Sequence, residues 1–353
     1  MMLRANHQGP LMFSHRIQAP SQADLDLQVS THLDASPQAR LIVQFASLQQ
    51  YDRELLARLD ALCARYGERL MVRFYSHHPG SAFDSRTLLA LPNVHALSLD
   101  CLDTLEHFEA IASLSRLRHF ELQVISADLP GLLALPNLRH LQTLRISLDK
   151  GPPLDLAPIG QMLELHRLSI SVQDHNLDVL GQCPGIHSLS LHRMSAKTPL
   201  GMVAGMAGLH SLSVSFGSRE TMPEVHHEQL RELDILRVRG LSQLELGSFP
   251  QLQVLKIEDQ AQLGRLDLRG CPQLQLLHLA NLKALGEIKG LESSQVSDLR
   301  LIRTPALDML ALLAGQLPPT VQYLKLFSGK RAVDKQIEAR QQQLGIPAPR
   351  GSF

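Results

Sequence analysis

One phrase, Pro-Gln-Leu-Gln-x-Leu-x-Ile/Leu, occurs twice between Pro250 and Leu279, starting at Pro250 and again at Pro272. The same spacing recurs at Pro92 (PNVHALSL), Pro184 (PGIHSLSL) and Pro319 (PTVQYLKL). Without the proline it returns at Leu117/Phe120/Leu122, Leu141/Leu144/Ile146, Leu165/Leu168/Ile170, Leu209/Leu212/Val214, Leu230/Leu233/Ile235 and Val296/Leu299/Leu301. The central positions (97, 120, 144, 168, 189, 212, 233, 255, 277, 299 and 324) follow one another at 21–25 residues. A fixed period in that range marks a chain built by stacking one short coil on the next. A single coil cannot bury its own leucines, whereas a stack shares one continuous apolar interior. A stack of this kind also escapes the limit of about 250–300 residues at which ordinary single cores stop growing.

The phrase L-x-x-L-x-L at this period resembles the leucine-rich repeat family, in the irregular form found in bacterial members, over roughly residues 91 to 327. The resemblance implies an α/β leucine-rich-repeat solenoid, or horseshoe. A parallel inner β-sheet of about thirteen strands is expected, with helical and extended convex segments and capping helices at the ends. The family usually carries asparagine three residues after the last strand leucine. Here those positions hold residues such as Leu102, Ile125, Asp149, Gln173 and Met194, so the chain departs from the family at its turns.

Four segments follow from the pattern: 1–40, an N-terminal arm and edge strand; 41–90, N-terminal α/β capping repeats; 91–327, the leucine-rich repeats; and 328–353, a C-terminal capping helix and tail. The alternation Leu25/Leu27/Val29 reads as the edge strand. Leu41–Phe45 and Leu70–Phe74 read as buried strands, with centres at Val43, Val72 and Ser98. Asp52 to Gly67 reads as a helix with Asp52 as N-cap, Leu55, Leu56, Leu59, Leu62 and Cys63 on one face, and Gly67 beyond the end. Helix-like connections are expected at Thr104–Leu114, Asp155–Leu163, Pro199–Met206 and Ala306–Gln316. After Gly217 a second leucine phrase, at Leu241/Leu244/Leu246, Leu263/Leu266/Leu268 and, shifted, Leu282/Leu285/Ile288, predicts extended backs. Strand Val321–Leu326 and helix Arg331–Leu344 close the repeats.

A formal net charge of zero gives no electrostatic footprint for nucleic acid or an anionic membrane. No segment approaches the ~20 apolar residues that span a bilayer, and the N-terminal stretch lacks the apolar run of a secretory signal. The expectation is a cytoplasmic protein, a monomer when free, whose partner is another protein. Cys183 and Cys271 sit just before the repeat proline, in the slot held elsewhere by Leu91 and Phe249. Four strand steps separate them, about 19 Å at ~4.8 Å per strand, beyond the ~7 Å between Cα atoms that a disulfide tolerates. They read as free thiols acting as small hydrophobes.

Catalytic motifs are not found: the sequence holds no Walker A loop, GxSxG elbow, HExxH or CxxC pair. Cys101-Leu102-Asp103 has the Cys-x-Asp spacing of a class of bacterial ubiquitin ligases with leucine-rich repeats. In that class the chemistry lies in a separate helical domain, and the 26 residues after Phe327 do not supply one. His77-His78 and His226-His227-Glu228 read as solvated loop residues rather than metal ligands. The expectation is a non-enzyme with no cofactor and no metal. His95, His166, His187 and His210 share the position two before the central leucine, where Arg118, Gln142 and Arg231 also sit. They form either a polar ladder along the sheet rim or a proton-sensitive or metal-trapping edge. Like-charge repulsion should lower the pKa of at least one.

Because side chains alternate along a strand, the residues flanking the central leucines face outward. Through the middle of the chain these are Thr143, Ser147, Ser169, Ser171, Ser188, Ser190, Ser211, Ser213 and Ser215, a serine ladder with few anchors. From Glu232 onward they become Glu232, Asp234, Val254, Lys256, Glu258, Leu276, His278, Ala280, Asp298, Arg300, Ile302, Tyr323, Lys325 and Phe327. Mixed charge beside apolar and aromatic groups suits a specific interface. Glu232, Asp234, Lys256, Glu258, Leu276, His278, Asp298, Arg300, Ile302 and Tyr323 are the candidate partner-binding residues. Arg300 is the first among them, since its fork can hold a carboxylate bidentately. The alternative for Tyr323 and Phe327 is that the C-terminal helix folds over them. The functional expectation is a stoichiometric, non-catalytic binder acting through its inner, concave face as an inhibitor or immunity protein. The rival reading is a secreted bacterial effector that binds a host protein.

Overall fold

The computed structural model describes residues 13, 15–75, 82–126 and 128–349. The chain divides into two compact units, Met1–Leu165 and His166–Phe353.

In the first unit the main strands are β1 (His15–Gln18), β2 (Leu41–Phe45), β3 (Leu70–Tyr75), β5 (Ala96–Leu102), β7 (His119–Ser126) and β8 (Thr143–Lys150), parallel and in that order. Two short strands, β4 (Ala82–Asp84) and β6 (Thr104–Glu106), pair on their own. Registers Val43↔Val72, Val72↔Leu97, Leu97↔Phe120 and Phe120↔Leu144 run one apolar row through the interior, and all five residues are fully buried. Leu97, not the expected Ser98, is therefore the centre of β5.

The second unit holds β9 (Arg167–Ser171), β10 (Ser188–His192), β11 (Ser211–Ser215), β12 (Glu232–Leu236), β13 (Val254–Glu258), β15 (Leu276–Ala280), β17 (Asp298–Ile302) and β18 (Tyr323–Phe327), again parallel and in order. The central residues Leu168, Leu189, Leu212, Leu233, Leu255, Leu277, Leu299 and Leu324 pair rung to rung. None is more than 2% exposed. The two units together hold fourteen main strands where about thirteen are expected.

The connections are tighter than the sequence suggests. Single 3-10 turns stand at Phe108–Ser113, Ala157–Gln161 and Gly201–Gly205, and Thr104–Glu106 is the strand β6 rather than helix. Each such turn closes on an apolar residue whose amide donates to the carbonyl three residues earlier. Leu91, Leu114, Met162, Cys183, Met206, Phe249 and Cys271 all do this at 2.9–3.2 Å. One backbone slot thus takes leucine, methionine, phenylalanine and cysteine on seven coils, and both Cys183 and Cys271 belong to it. Extended backs form where β14 (Arg265–Asp267) pairs with β16 (Glu287–Lys289) through Leu266↔Ile288. The phrase at Leu241/Leu244/Leu246 does not become a strand; it ends in a 3-10 turn at Leu246–Ser248.

The segment 22–33 departs from the expected edge strand. It is helix α1 (Gln22–Leu33), capped by Ser21, whose hydroxyl accepts from the Asp24 amide. Leu25, Val29 and Leu33 are buried at a four-residue spacing, and Leu27 is 68% exposed. The apparent alternation was two residues of a helical stripe with an exposed leucine between them. The true edge strand is β1, which pairs with β2. Helix α2 (Arg53–Tyr66) has the expected caps: Asp52 Oδ1 accepts from the Leu55 amide at 2.8 Å, and Gly67 follows at φ +57°. Tyr66 and Arg65 both reach Asp34 at 3.0 Å, which joins the two helices.

At the other end a single turn α3 (Met309–Ala311) runs into a π turn, Leu312–Gln316, where a longer helix is expected. Helix α4 (Arg331–Leu344) follows β18, with Ile337 buried and Gly345 left-handed. Gln341 donates its side-chain amide to the Leu324 carbonyl, and the Leu324 amide donates to Pro347, both at 3.0 Å. The open hydrogen-bonding edge of the last strand is thereby partly paired, which removes a template for edge-to-edge association.

Candidate protein-binding face

Three cross-strand rows cover the outward face from β12 to β18. The first reads Glu232↔Val254↔Leu276↔Asp298↔Tyr323 and the second Asp234↔Lys256↔His278↔Arg300↔Lys325. The third reads Leu236↔Glu258↔Ala280↔Ile302↔Phe327. All ten candidate residues therefore lie on one continuous face of the second unit, because a period-two strand in unbroken register keeps alternate residues on one side. Val254, Lys325, Leu236, Ala280 and Phe327 complete the rows.

The middle row is partly closed upon itself. Arg300 is 5% exposed, and its Nε and Nη2 donate to the two oxygens of Asp298 at 2.8 and 2.6 Å. The fork expected to hold a partner's carboxylate already holds one from its own strand. His278 is equally buried, with Nε2 3.2 Å from Glu258. Burial, then the neighbouring Arg300 and Lys256 cations, hold the His278 imidazole below its ordinary pKa against the opposing pull of Asp234. Burial raises the Asp234 carboxyl, with Lys256 opposing and Glu258 adding to the rise. The accessible part of the face lies at its last strand. Tyr323 and Phe327 are 42% and 40% exposed on either side of exposed Lys325, and α4 does not cover them.

On β9 to β11 the outward face carries the serines, with Ser169↔Ser190↔Ser213 leading into Asp234. His192 also belongs here and was absent from the sequence reading; its Nδ1 lies 2.5 Å from the Ser215 hydroxyl.

The histidine rim has the expected stacking. His166 and His187 lie parallel with centroids 5.3 Å apart, and His210 meets His187 edge-on at 5.6 Å. The His210 pKa is depressed, chiefly by burial and next by Arg231; repulsion from His187 comes third, so charge crowding is not the leading cause. Among the described residues no group of three or more His, Cys, Asp or Glu is placed to hold a metal ion. His227 is buried rather than solvated and sits 2.9 Å from the Met206 carbonyl. His77-His78 and the side chain of Cys101 lie outside the described residues.

A second line of residues borders the face and was missed in the sequence. Two positions after the last strand leucine, the chain turns through a left-handed residue on seven successive coils: Val172, Arg193, Phe216, Arg237, Asp259, Asn281 and Arg303. Each amide donates to the next coil, at His192, Ser215, Leu236, Glu258, Ala280, Ile302 and Phe327 respectively. This backbone ladder closes the turns without the family's asparagine. The following position points inward, so Gln173, Met194, Val238, Gln260, Leu282 and Thr304 are buried there. Side chains of the left-handed line meet as well. The Arg237 guanidinium lies 5.7 Å from the Phe216 ring centroid and bonds Asp259, which also accepts from Asn281 at 2.8 Å. The signal was present as Arg, Asp or Asn at five of these seven positions, at a fixed offset from the strand leucines.

One parallel strand per coil of 21–25 residues, an interior row of leucines and backs of 3-10 or extended chain define the class: an α/β leucine-rich-repeat solenoid. Among solved structures, the chain is similar to an internalin (InlF) of Listeria monocytogenes, at 15% identity over 86% of this chain and 89% of that one, with a TM-score of 0.49. It is also similar to a leucine-rich repeat protein of Leptospira interrogans, at 13% identity over 86% and 88%, with a TM-score of 0.41. A third is the Toll–Spatzle complex of Drosophila, at 12% identity over 91% of this chain and 51% of that one, with a TM-score of 0.42. No protein-family model and no curated protein matches the sequence. No helix of the described residues is long and apolar enough to cross a membrane.

Proposed function

We propose that the chain is a non-catalytic recognition protein that holds one protein partner on the outward face of its second unit and acts by occupying it, as an inhibitor or immunity protein does. The observation that carries this reading is the exposed Tyr323–Lys325–Phe327 strip at the end of a face whose inner charges are already paired. Two aromatic anchors around a cation, bordered by half-buried Ile302 and Leu276, provide apolar burial with one charge to orient the partner. The paired Asp298–Arg300 and Glu258–His278 groups keep that surface rigid and need no partner charge to satisfy them. The serine half offers little apolar area by comparison.

The test is affinity capture from the native host with three baits: wild type, Tyr323→Ala/Phe327→Ala, and Ser190→Ala/Ser213→Ala. A protein held at one-to-one ratio by the wild type and the serine variant, and lost with the aromatic variant, is the expected result. Each aromatic truncation should weaken its binding by about 1–4 kcal/mol, and each serine change by under ~0.5 kcal/mol. Loss with the serine variant and retention by the aromatic one would move the interface to β9–β11. If the captured protein is an enzyme, its activity should fall in proportion to the complex formed; undiminished activity would argue for an adaptor.

A further inference from the structure

The first unit carries a separate apolar cup on its outward face. Ile42↔Met71↔Ala96↔His119 form one cross-strand row on β2, β3, β5 and β7. The alternation that buries Val43 and Val72 inside turns this row outward, toward solvent. Yet Ile42, Met71 and Ala96 are only 6%, 2% and 0% exposed. Phe13, two residues before β1, packs against this cluster. Its ring meets the His119 ring edge-on at 6.0 Å, and the Arg40 guanidinium lies 5.9 Å from its centroid.

Below this row the outward face is polar and paired. Gln44 donates to Gln18 at 2.7 Å, Arg73 donates to Gln44 at 2.9 Å and pairs with Asp100, and Tyr75 donates to Gln18 at 2.6 Å. Ser98 and His119 both reach Glu121. The cup thus has an apolar floor, a hydrogen-bonded wall and a guanidinium at its lip.

One group in it is unsatisfied. His119 Nε2 lies 3.0 Å from the Glu121 carboxylate, and in the tautomer that donates there Nδ1 carries the lone pair. That Nδ1 is buried and has no hydrogen-bond partner among the described residues. A buried acceptor without a donor is costly, and the ring seated beside it, phenylalanine, has no donor to give. Tyrosine and tryptophan do.

We propose that this cup is a binding site for a peptide segment bearing tyrosine or tryptophan, and that Phe13 fills it in cis as a displaceable occupant. The chain's own segment shows that an aromatic side chain fits, and His119 Nδ1 sets the preference for a ring with a donor. The site is on the first unit and is independent of the face assigned to the partner above.

The probe is a fluorescent synthetic copy of residues 9–18, GPLMFSHRIQ, made with Phe13 or with Phe13→Tyr. Full-length Phe13→Ala protein should bind either peptide saturably and at least tenfold more tightly than wild type, whose cup is filled. The tyrosine peptide should bind at least threefold more tightly than the phenylalanine one, and His119→Phe should abolish that preference. Equal binding by wild type and Phe13→Ala, or equal binding of the two peptides, would overturn the proposal. Phe13→Trp supplies a reading that does not depend on truncating the side chain, since the sequence contains no other tryptophan. Its emission should be blue-shifted in the native chain and move to the red when excess tyrosine peptide displaces it. Emission that ignores the peptide would make residue 13 a fixed part of the core, and a concentration-dependent dimer would place the arm in a second copy; either refutes displacement in cis.

Discussion

Val172 and Phe216 hold left-handed backbone at φ +61° and +60°, a region that costs an L-residue about 1–2 kcal/mol and suits a β-branched side chain least. They bear that cost because the turn and its inter-coil hydrogen bond recur at the same place in every neighbouring coil. Asparagine tolerates this conformation, as Asn281 does at the equivalent position. Val172, 42% exposed, has little packing to lose. Val172→Asn should therefore raise stability by about 0.5–1 kcal/mol, read as a higher urea midpoint at unchanged slope; a lower midpoint would mean that the valine side chain matters more than its backbone. His278 and His210 make a second residue-scale prediction. Both are held below the ordinary value of 6.5, chiefly by burial. The unfolded chain then takes up protons that the folded chain resists, so stability is full above that value and falls as pH drops through it. Denaturation midpoints should decline from about pH 7 to pH 5, and His278→Gln should flatten the decline. Asp234 is shifted the opposite way, upward, so its contribution is present in acid and is lost as pH rises past the ordinary carboxylate value.

Elements were legible wherever the sequence carried both a stripe and its caps. Helices α2 and α4 were readable because Asp52, Gly67 and Gly345 mark ends around clear apolar faces. Helix α1 was misread because Leu27 filled in a false alternation over a stretch too short to distinguish a spacing of two from one of four. The 3-10 turns stand where the sequence predicts longer helices, since a single turn and a short helix share the same apolar residues, and only the coil length decides between them. The cysteine slot was read correctly. Cys183 and Cys271 are buried and take part in no disulfide among the described residues, as is true of Cys63. Burial pushes the Cys271 thiol up to about 12 and raises Cys183 as well. A thiol reagent should therefore label all three only when the protein unfolds; rapid labelling of Cys183 or Cys271 in the native protein would contradict the backbone slot. The backs are also close enough to demand glycine. A Cβ on Gly205 would lie 2.7 Å from the Gly181 carbonyl of the preceding coil, a contact that backbone cannot relieve cheaply. Gly205→Ala should cost about 1–3 kcal/mol, as overpacking does, whereas Gly201→Ala, which meets nothing within 4 Å, should be tolerated.

For the whole molecule, the leucine period revealed the interior almost completely, because one-residue slips would turn every leucine to solvent. The candidate face was half legible. Alternation fixes which residues face outward, but not that Arg300 turns back onto Asp298 of its own strand, which depends on rotamer, or that His278 is buried against Glu258, which depends on the neighbouring coil. The cup under Phe13 was not legible at all, because its floor comes from residues 42, 71 and 96, which share no local pattern. A stack of coils also has a distinctive response to damage. Each coil rests on its neighbours, so stability is a sum of local terms and opening spreads outward from a weak coil. Leu255 is fully buried and pairs with Leu233 and Leu277. Leu255→Ala should remove about 2–5 kcal/mol, and the loss should be local. In hydrogen exchange, the amides of β12, β13 and β15 should lose protection first, those of β10 and β18 less, and those of β2 and β3 least. Uniform acceleration of exchange from β2 to β18 would mean that the chain opens as one cooperative body, and that its repeats are not energetically separable.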